Sequence, residues 1–194
     1  MGKFHILDHV VRSSEPLTVH DLDALPDDGR RHELVDGVLL VTPSPNWPHQ
    51  GMGGALGALL HQSCPPDLRV LMGPFAIRPD LNNELRPDLL VARYADLTPK
   101  NLPVAPVLAA EVLSRSTRLI DLNLKRAAFA RLGVPSFWLL DPEPAAPSIT
   151  ALELGEDGEY HRKACATGDE EFVTERPFPV RLRPADLLAR LRPR

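Results

Sequence analysis

The chain has 194 residues, 43% hydrophobic and 25% charged, which is ordinary for one globular domain, and its formal net charge of −4 excludes no class of partner because an acidic protein can still carry a basic stripe. Its two cysteines, Cys64 and Cys165, lie in no CxxC pair and in no zinc-ligand spacing, so we expect reduced thiols. No run approaches the roughly 18 apolar residues of a membrane span, and the N-terminus lacks a signal-peptide core. The sequence therefore predicts a soluble, cytoplasmic protein.

The predicted elements describe a loose N-terminal arm over residues 1–16 followed by a single domain over residues 17–194. The first half predicts, in chain order, a short helix from Thr18 to near Pro26, a hairpin turning at Asp36-Gly37, a helix over 47–61, and strands near 68–73, 75–79, 88–93 and 106–114. The second half predicts a helix over 117–132, a strand over 136–143, strand-like segments near 148–154, 159–165 and 171–182, and a final helix over 184–191. This order indicates an α/β (α+β) fold with a mixed central sheet flanked by helices.

Charged residues occur at positions where the predicted elements are otherwise apolar. Glu111 lies inside the run VLAAEVL, and Asp88 opens a buried strand directly after Pro87. An unpaired buried carboxylate costs several kcal/mol, so a cation or a lysine is expected opposite Glu111. A structural salt bridge and a catalytic or metal site both satisfy this requirement. Asp88 lies near Glu111 if their two strands pair.

Two neighbouring carboxylates are suited to a hard cation. Mg²⁺ (or Mn²⁺) takes one or two carboxylates together with water and substrate phosphate, so Asp88, Glu111 and the backbone carbonyl of Val112 form a candidate metal site. A nearby lysine would assist the attacking water and stabilise charge on the phosphate. Lys125 is the candidate, although its position four residues after Asp121 also allows an ordinary exposed ion pair on a helix.

Three segments of the sequence resemble a known family. They read ELVDG…PSP…H, then RPDLLVA, then AAEVLSRSTRLIDLNLKRAAFARLGVPSFWLLDP. This pattern, which covers about residues 18 to 185, is similar to the Uma-two family of predicted restriction endonucleases, themselves predicted members of the PD-(D/E)xK nuclease superfamily. The resemblance implies a restriction-endonuclease-like fold and a metal-dependent, phosphodiester-cleaving endonuclease that acts on DNA.

The resemblance also implies roles for individual residues. Asp88 matches the aspartate of the PD element, and Glu111 matches the acidic residue of the (D/E)xK element. The position two residues after Glu111 is Leu113 instead of lysine, and the family's lysine on the following helix matches Lys125. Glu33 matches an early acidic residue of the metal site. His49 matches a recurrent histidine near the same face, although a histidine here also suits a helix start or a satisfied core position.

The sequence allows more than one interpretation of the partners and of the activity. Arg115 and Arg118 follow the presumed metal strand and are candidates for phosphate contacts with DNA. Because cutting both strands of a duplex usually calls for two sites, a homodimer is expected. The leucine at position 113 supports a second hypothesis, a catalytically inactive nucleic-acid-binding or assembly protein that retains the nuclease fold. A metal hydrolase of small phosphoesters is a third.

Overall fold

The computed structural model describes residues 5–7, 10–13, 15–114 and 118–189. Its helices are α1 (Val19–Asp23), α2 (Trp47–Ser63), α3 (Arg126–Leu132) and α4 (Pro184–Ala189), with a 3₁₀ turn at Tyr94–Asp96 and a π-helical segment, Ile120–Lys125, that leads directly into α3. Its strands are β1 (His5–Leu7), β2 (Val10–Arg12), β3 (Arg31–Val35), β4 (Val38–Thr42), β5 (Leu68–Met72), β6 (Ala76–Asp80), β7 (Asn83–Leu85), β8 (Leu89–Arg93), β9 (Asn101–Leu102), β10 (Leu108–Val112), β11 (Ser136–Asp141), β12 (Ser148–Leu154), β13 (Tyr160–Thr167), β14 (Phe172–Thr174) and β15 (Val180–Leu182).

The strands form two large sheets and one small one. The six-stranded sheet has the order β13-β12-β11-β10-β8-β5, and the seven-stranded sheet has the order β1-β2-β4-β3-β7-β6-β9. Within the six-stranded sheet β10 and β11 are parallel and the other neighbours are antiparallel, so the sheet is mixed, as predicted. A two-stranded sheet, β14-β15, completes the described part of the chain. The predicted fold class is confirmed, with the strands divided between two large sheets.

The two faces of β10 are covered by different elements. Leu108, Ala110 and Val112 belong to the core shared with α2, whereas Ala109 and Leu113 belong to the core shared with α3 and the seven-stranded sheet. Because successive strand residues point to opposite faces, Glu111 is directed to the side of α3. The near-continuous apolar sequence of this strand follows from its burial on both faces.

The helix α2 packs closely on the six-stranded sheet because its inner face carries glycine. A Cβ atom on Gly53 would lie 3.5 Å from Cγ2 of Val112, so the helix backbone approaches the sheet directly. The side-chain oxygen of Asn46 accepts from the backbone N–H of His49 and caps the helix start. The helix therefore has a fixed position next to the strand that carries Glu111.

Several sequence predictions need correction or lie outside the described residues. Within residues 1–16, which we predicted to be a loose arm, the described residues include two short strands: β1 pairs with β2, and β2 pairs with β4 at the edge of the sheet. The strands β7 and β9 were not predicted, since segments of two or three residues carry too little periodicity. Residues 190–191 of the predicted final helix, and residue 117 at the start of the predicted helix over 117–132, lie outside the described residues. Within the residues that the structure does describe, no helix is both long and apolar enough to cross a membrane.

Candidate active site

The candidate site lies where the chain passes from one large sheet to the other. Residues 86–88 connect β7 of the seven-stranded sheet to β8 of the six-stranded sheet, and Asp88 is the last of them. The antiparallel register pairs Ala110 of β10 with Leu89 of β8. The next residue on β10 is Glu111, and the residue before Leu89 is Asp88, so the two acidic residues come at the same end of the strand pair. The backbone N–H of Val112 donates to Oδ2 of Asp88 at 2.9 Å. The predicted pairing of the two strands is confirmed, and it brings Asp88 to the backbone beside Glu111.

The amine of Lys125 lies between two of the predicted acidic residues. Its Nζ donates to Oε1 of Glu111 at 2.9 Å and lies 2.9 Å from Oε2 of Glu33. Asp121, the partner expected for an exposed helical pair, is farther away at 3.8 Å. The side chain of Lys125 is only 1% exposed, so the interpretation as an exposed surface pair is wrong. Lys125 instead joins acidic residues from two sheets.

The helix that carries Lys125 departs from the regular geometry expected for residues 117–132. Residues 120–125 are π-helical, and Asp121 and Lys125 are its buried members. In a π-helix the hydrogen bonds run from i to i+5, which turns the face presented to the sheet relative to an α-helix. The polar pair consequently faces inward, while Ile120 and Leu124 are only half-buried.

Glu33 and Arg31 extend the site into the seven-stranded sheet. Oε1 of Glu33 accepts from the backbone N–H of Arg86 at 2.7 Å, which ties β3 to the connection that leads to Asp88. Arg31 donates from Nη1 to Oδ1 of Asp88 at 2.7 Å, and its Nε lies 3.4 Å from Oε2 of Glu33. Arg31 was not predicted as a site residue. Its spacing of two from Glu33 was the available signal, because residues i and i+2 of a strand share a face.

His49 reaches the site from the first turn of α2. Its Nε2 lies 3.0 Å from Oδ2 of Asp88, and the residue is 7% exposed. The histidine therefore occupies a helix start and also contacts the predicted site. Together with Arg31 and the backbone N–H of Val112, it fixes the orientation of the Asp88 carboxylate.

The buried ionic cluster consists of Asp88, Glu111, Glu33, Asp121, Lys125 and Arg31. Burial, together with the neighbouring carboxylates of Asp88 and Asp121, raises the pKa of Glu111 well above its ordinary value, although Lys125 opposes this. Burial also opposes the charge of Lys125, but Glu111 and Glu33 raise the pKa of its amine and keep it charged. Among the described residues, four carboxylates thus meet two permanently charged bases, and the site favours additional positive charge.

Two carboxylate oxygens of the buried ionic cluster, one on Glu33 and one on Glu111, accept no hydrogen bond among the described residues, and that of Glu33 still lies 2.9 Å from the amine of Lys125. Oε2 of Glu111 is buried and has no hydrogen-bond partner among the described residues. Such an atom requires an explanation, and a bound ion is one. In the described ranges, no group of three or more His, Cys, Asp or Glu side chains is arranged to hold a metal ion. The donor set still fits Mg²⁺, which commonly uses one or two carboxylates and completes its shell with water and substrate.

A cavity of about 370 Å³ opens beside Asp88 and His49. Its walls also carry Arg30, Arg31 and Arg86. Of the two predicted phosphate-contacting arginines, only Arg118 lies in the described part of the chain, and it lies elsewhere. Arg118 lines a second cavity of about 570 Å³ and donates to Oδ2 of Asp141 at 2.6 Å, and Arg115 lies outside the described residues.

Comparison with known proteins identifies the family. The profile of the family described as "Uma2: Putative restriction endonuclease" matches residues 19–188. The chain belongs to this family. A solved structure described as "a putative nuclease belonging to DUF820 from Anabaena variabilis ATCC 29413" is 17% identical, with a TM-score of 0.67, and the match covers 90% of this chain and 98% of that one. A search of the curated proteins gives no match.

These comparisons confirm the resemblance drawn from the sequence. The family match covers most of the chain, and the solved nuclease shows that the Uma2 chain shares its fold. Family and fold together support a nuclease, which is the coarser part of the predicted function.

The low pKa of Asp88 predicts how stability depends on pH. Burial would raise this pKa, but the hydrogen bond to His49 and the charge of Arg31 hold it well below its ordinary value. The charged carboxylate therefore stabilises the fold above the unfolded pKa of about 3.9, and this contribution is lost as the pH falls through the folded pKa. We expect wild type to exceed Asp88→Asn in free energy of unfolding at neutral pH, and the difference to shrink below about pH 4. Urea unfolding across this range measures it, and a difference that grew on acidification would contradict it.

Proposed function

We propose that this protein is a metal-dependent endonuclease that hydrolyses phosphodiester bonds of DNA. The observation that supports this most strongly is the unpartnered Oε2 of Glu111, which lies in a buried cluster with more carboxylates than bases and next to the amine of Lys125. A buried salt bridge offsets its desolvation cost best when its remaining lone pairs are also satisfied, so the unused acceptor of Glu111 favours a further cation at this place. Membership of a restriction-endonuclease family supplies DNA as the substrate class.

Asp88, Glu111 and the backbone carbonyl of Val112 would hold Mg²⁺ (or Mn²⁺). When bound, the ion would neutralise charge on the phosphate and acidify water at the site. The chain itself prepares the carboxylates for this task. Arg31, His49 and the N–H of Val112 hold Asp88 in its charged form and in one orientation, and Lys125 engages only Oε1 of Glu111, so that Oε2 stays available.

Lys125 would assist the attacking water and stabilise negative charge that develops on the phosphate. Its amine remains charged in the buried cluster, because Glu111 and Glu33 raise its pKa. Oε2 of Glu33 also lies 2.9 Å from the amine, and the other oxygen of Glu33 is fixed by the backbone N–H of Arg86. Glu33 is therefore proposed as a positioning residue. Preorganised charge of this kind is a large contribution to catalysis, since it needs no rearrangement when the transition state forms.

The competing hypothesis of an inactive nucleic-acid-binding protein rests on Leu113, which replaces the expected lysine. The structure offers a specific observation against that argument. An amine from the following helix lies within 2.9 Å of Glu111, so the lysine is supplied from a different element. Leu113 itself is buried in the apolar core shared with α3, where a charged side chain would be costly.

A plasmid-nicking assay tests the proposal. We expect supercoiled DNA to be converted to nicked or linear forms with Mg²⁺ or Mn²⁺, and not with EDTA. Cleavage in EDTA, or binding without cleavage under every divalent ion supplied, would contradict the proposal, and the second result would select the inactive binding protein. Activity on simple phosphate esters but not on DNA would select a small-phosphoester hydrolase. The homodimer and the cytoplasmic location remain predictions.

A further inference from the structure

Large apolar side chains are exposed around the entrance to the candidate site. Trp47 is 69% exposed, and its neighbours in sequence, Asn46 and Pro48, line the second cavity, whereas Gln50, one turn later, lines the cavity beside Asp88. Trp47 is thus flanked along the chain by residues that line the two cavities. Tryptophan is highly buried on average, so a tryptophan exposed at this place calls for a ligand.

Two further exposed apolar residues lie near these cavities. Met72, which is 44% exposed, lines the cavity beside Asp88. Leu119, which is 76% exposed, directly follows Arg118 of the second cavity. Intact duplex DNA presents phosphates and groove edges, and its base faces are stacked inside, so it gains little from such surface. An unpaired strand exposes the faces of its bases, and it gains binding free energy when a base stacks on an exposed aromatic side chain.

The positive charge and the volume of the cavity beside Asp88 suit a single strand of DNA. The side chain of Arg30 is 63% exposed at the cavity wall, and its nearest carboxylate contact, with Asp28, is long at 3.8 Å. It is thus available to a phosphate. The volume of about 370 Å³ lies at the lower end of the range for small-molecule sites, which suits one nucleotide and not a duplex.

We propose that the site acts on single-stranded DNA, with one unpaired base stacked on Trp47 and the adjoining nucleotide in the cavity beside Asp88. This inference rests on the proposed function, because it names the substrate class of the same site. Trp47 determines specificity and takes no part in the chemistry. A duplex is a substrate only where its strands are separated, as negative supercoiling favours in the plasmid of the nicking assay.

The tryptophan content of the chain allows a direct test. The chain has two tryptophans, and Trp138 is fully buried, so a ligand that stacks on the protein surface quenches Trp47. In EDTA, oligothymidylate is expected to quench the fluorescence, and the same strand annealed to oligoadenylate is expected to bind more weakly and to quench less. Trp47→Ala is expected to weaken oligothymidylate binding by roughly 5- to 150-fold, the loss of one stacked base, and Trp47→Phe by much less.

Tyr94→Ala is the matched control, because Tyr94 is an exposed aromatic residue that follows the end of β8 remote from Asp88. Its affinity for oligothymidylate should equal that of wild type. Equal binding by wild type and Trp47→Ala, or preferred binding of the duplex, would overturn the inference, and tighter binding of oligouridylate would overturn its assignment to DNA. If the binding test gives one of these results and the protein still cleaves DNA in a metal-dependent way, the proposed function holds and the single-strand inference is wrong. If Trp47-dependent binding occurs but no metal supports cleavage, the proposed function fails and the single-strand site remains.

Discussion

Replacing Glu111 by glutamine is expected to lower metal-dependent DNA cleavage at least about 100-fold, since loss of residues that merely support metal ligands already costs about 10–100-fold. Glutamine has nearly the same shape but cannot supply the negative oxygen that the ion requires. The protein should still fold, because burial disfavours the charged form of Glu111 and a neutral side chain suits the position. Asp88→Asn should lower cleavage by a similar factor.

Glu156→Gln is the control for this pair of variants, because Glu156 is exposed and remote from the buried ionic cluster. It should cleave at the wild-type rate. Initial nicking rates for all four proteins, purified in parallel, also separate the activity of the chain from that of a contaminating nuclease. Full activity in both Glu111→Gln and Asp88→Asn would mean that the two carboxylates do not form the catalytic site.

Replacing Lys125 by methionine is expected to cost about 3–5 kcal/mol of unfolding free energy, the cost of breaking a buried pair by removing one partner. Methionine fills similar space but leaves Glu33 and Glu111 buried with no amine between them. Urea unfolding measures this effect. Adding Glu111→Gln to Lys125→Met should recover part of the loss, because the second change removes one of the carboxylates left uncompensated.

Lys163→Met controls for the loss of a lysine at an exposed position of β13, and it should change stability by no more than about 0.5 kcal/mol. If Lys125→Met were as stable as this control, the amine would not be the counter-charge of the cluster. If the double variant were less stable than Lys125→Met, the carboxylate of Glu111 would have stabilised the fold by another contact.

The central strands and their carboxylates could be predicted because local sequence determined them. A glutamate inside VLAAEVL and an aspartate that opens DLLVAR have no inexpensive structural role, and two adjacent buried strands are expected to pair. The hairpin at Asp36-Gly37 was equally readable, because both residues adopt positive φ, as a tight two-residue turn requires.

Other parts of the site depend on tertiary structure that a single sequence does not display. The π-helical segment buries Lys125 by altering the helical repeat, whereas the sequence pattern assumes a regular helix and also allowed an exposed ion pair with Asp121. The contact between Arg31 and Asp88 joins residues that are 57 positions apart and lie on different sheets. The division of the strands into two large sheets was likewise outside the reach of local patterns.

The position of the site at the junction of the two sheets explains why it is held so firmly. Glu111 comes from the six-stranded sheet, and Asp88 comes from the connection that leads into it. Glu33 and Arg31 come from the seven-stranded sheet, and Lys125 comes from the π-helical segment that precedes α3. Each carboxylate thus has partners on another element, and rigid elements position functional groups more accurately than loops do.

Binding of Mn²⁺, followed by the loss of its free-ion electron paramagnetic resonance signal, tests the central claim most directly, because it requires no assumption about the substrate. We predict that wild type binds Mn²⁺, that Mg²⁺ competes for the site, and that Glu111→Gln and Asp88→Asn each remove most of the binding while Glu156→Gln removes none. Binding that is unchanged in both site variants, or absent from the wild type, would contradict a metal centre on these two carboxylates.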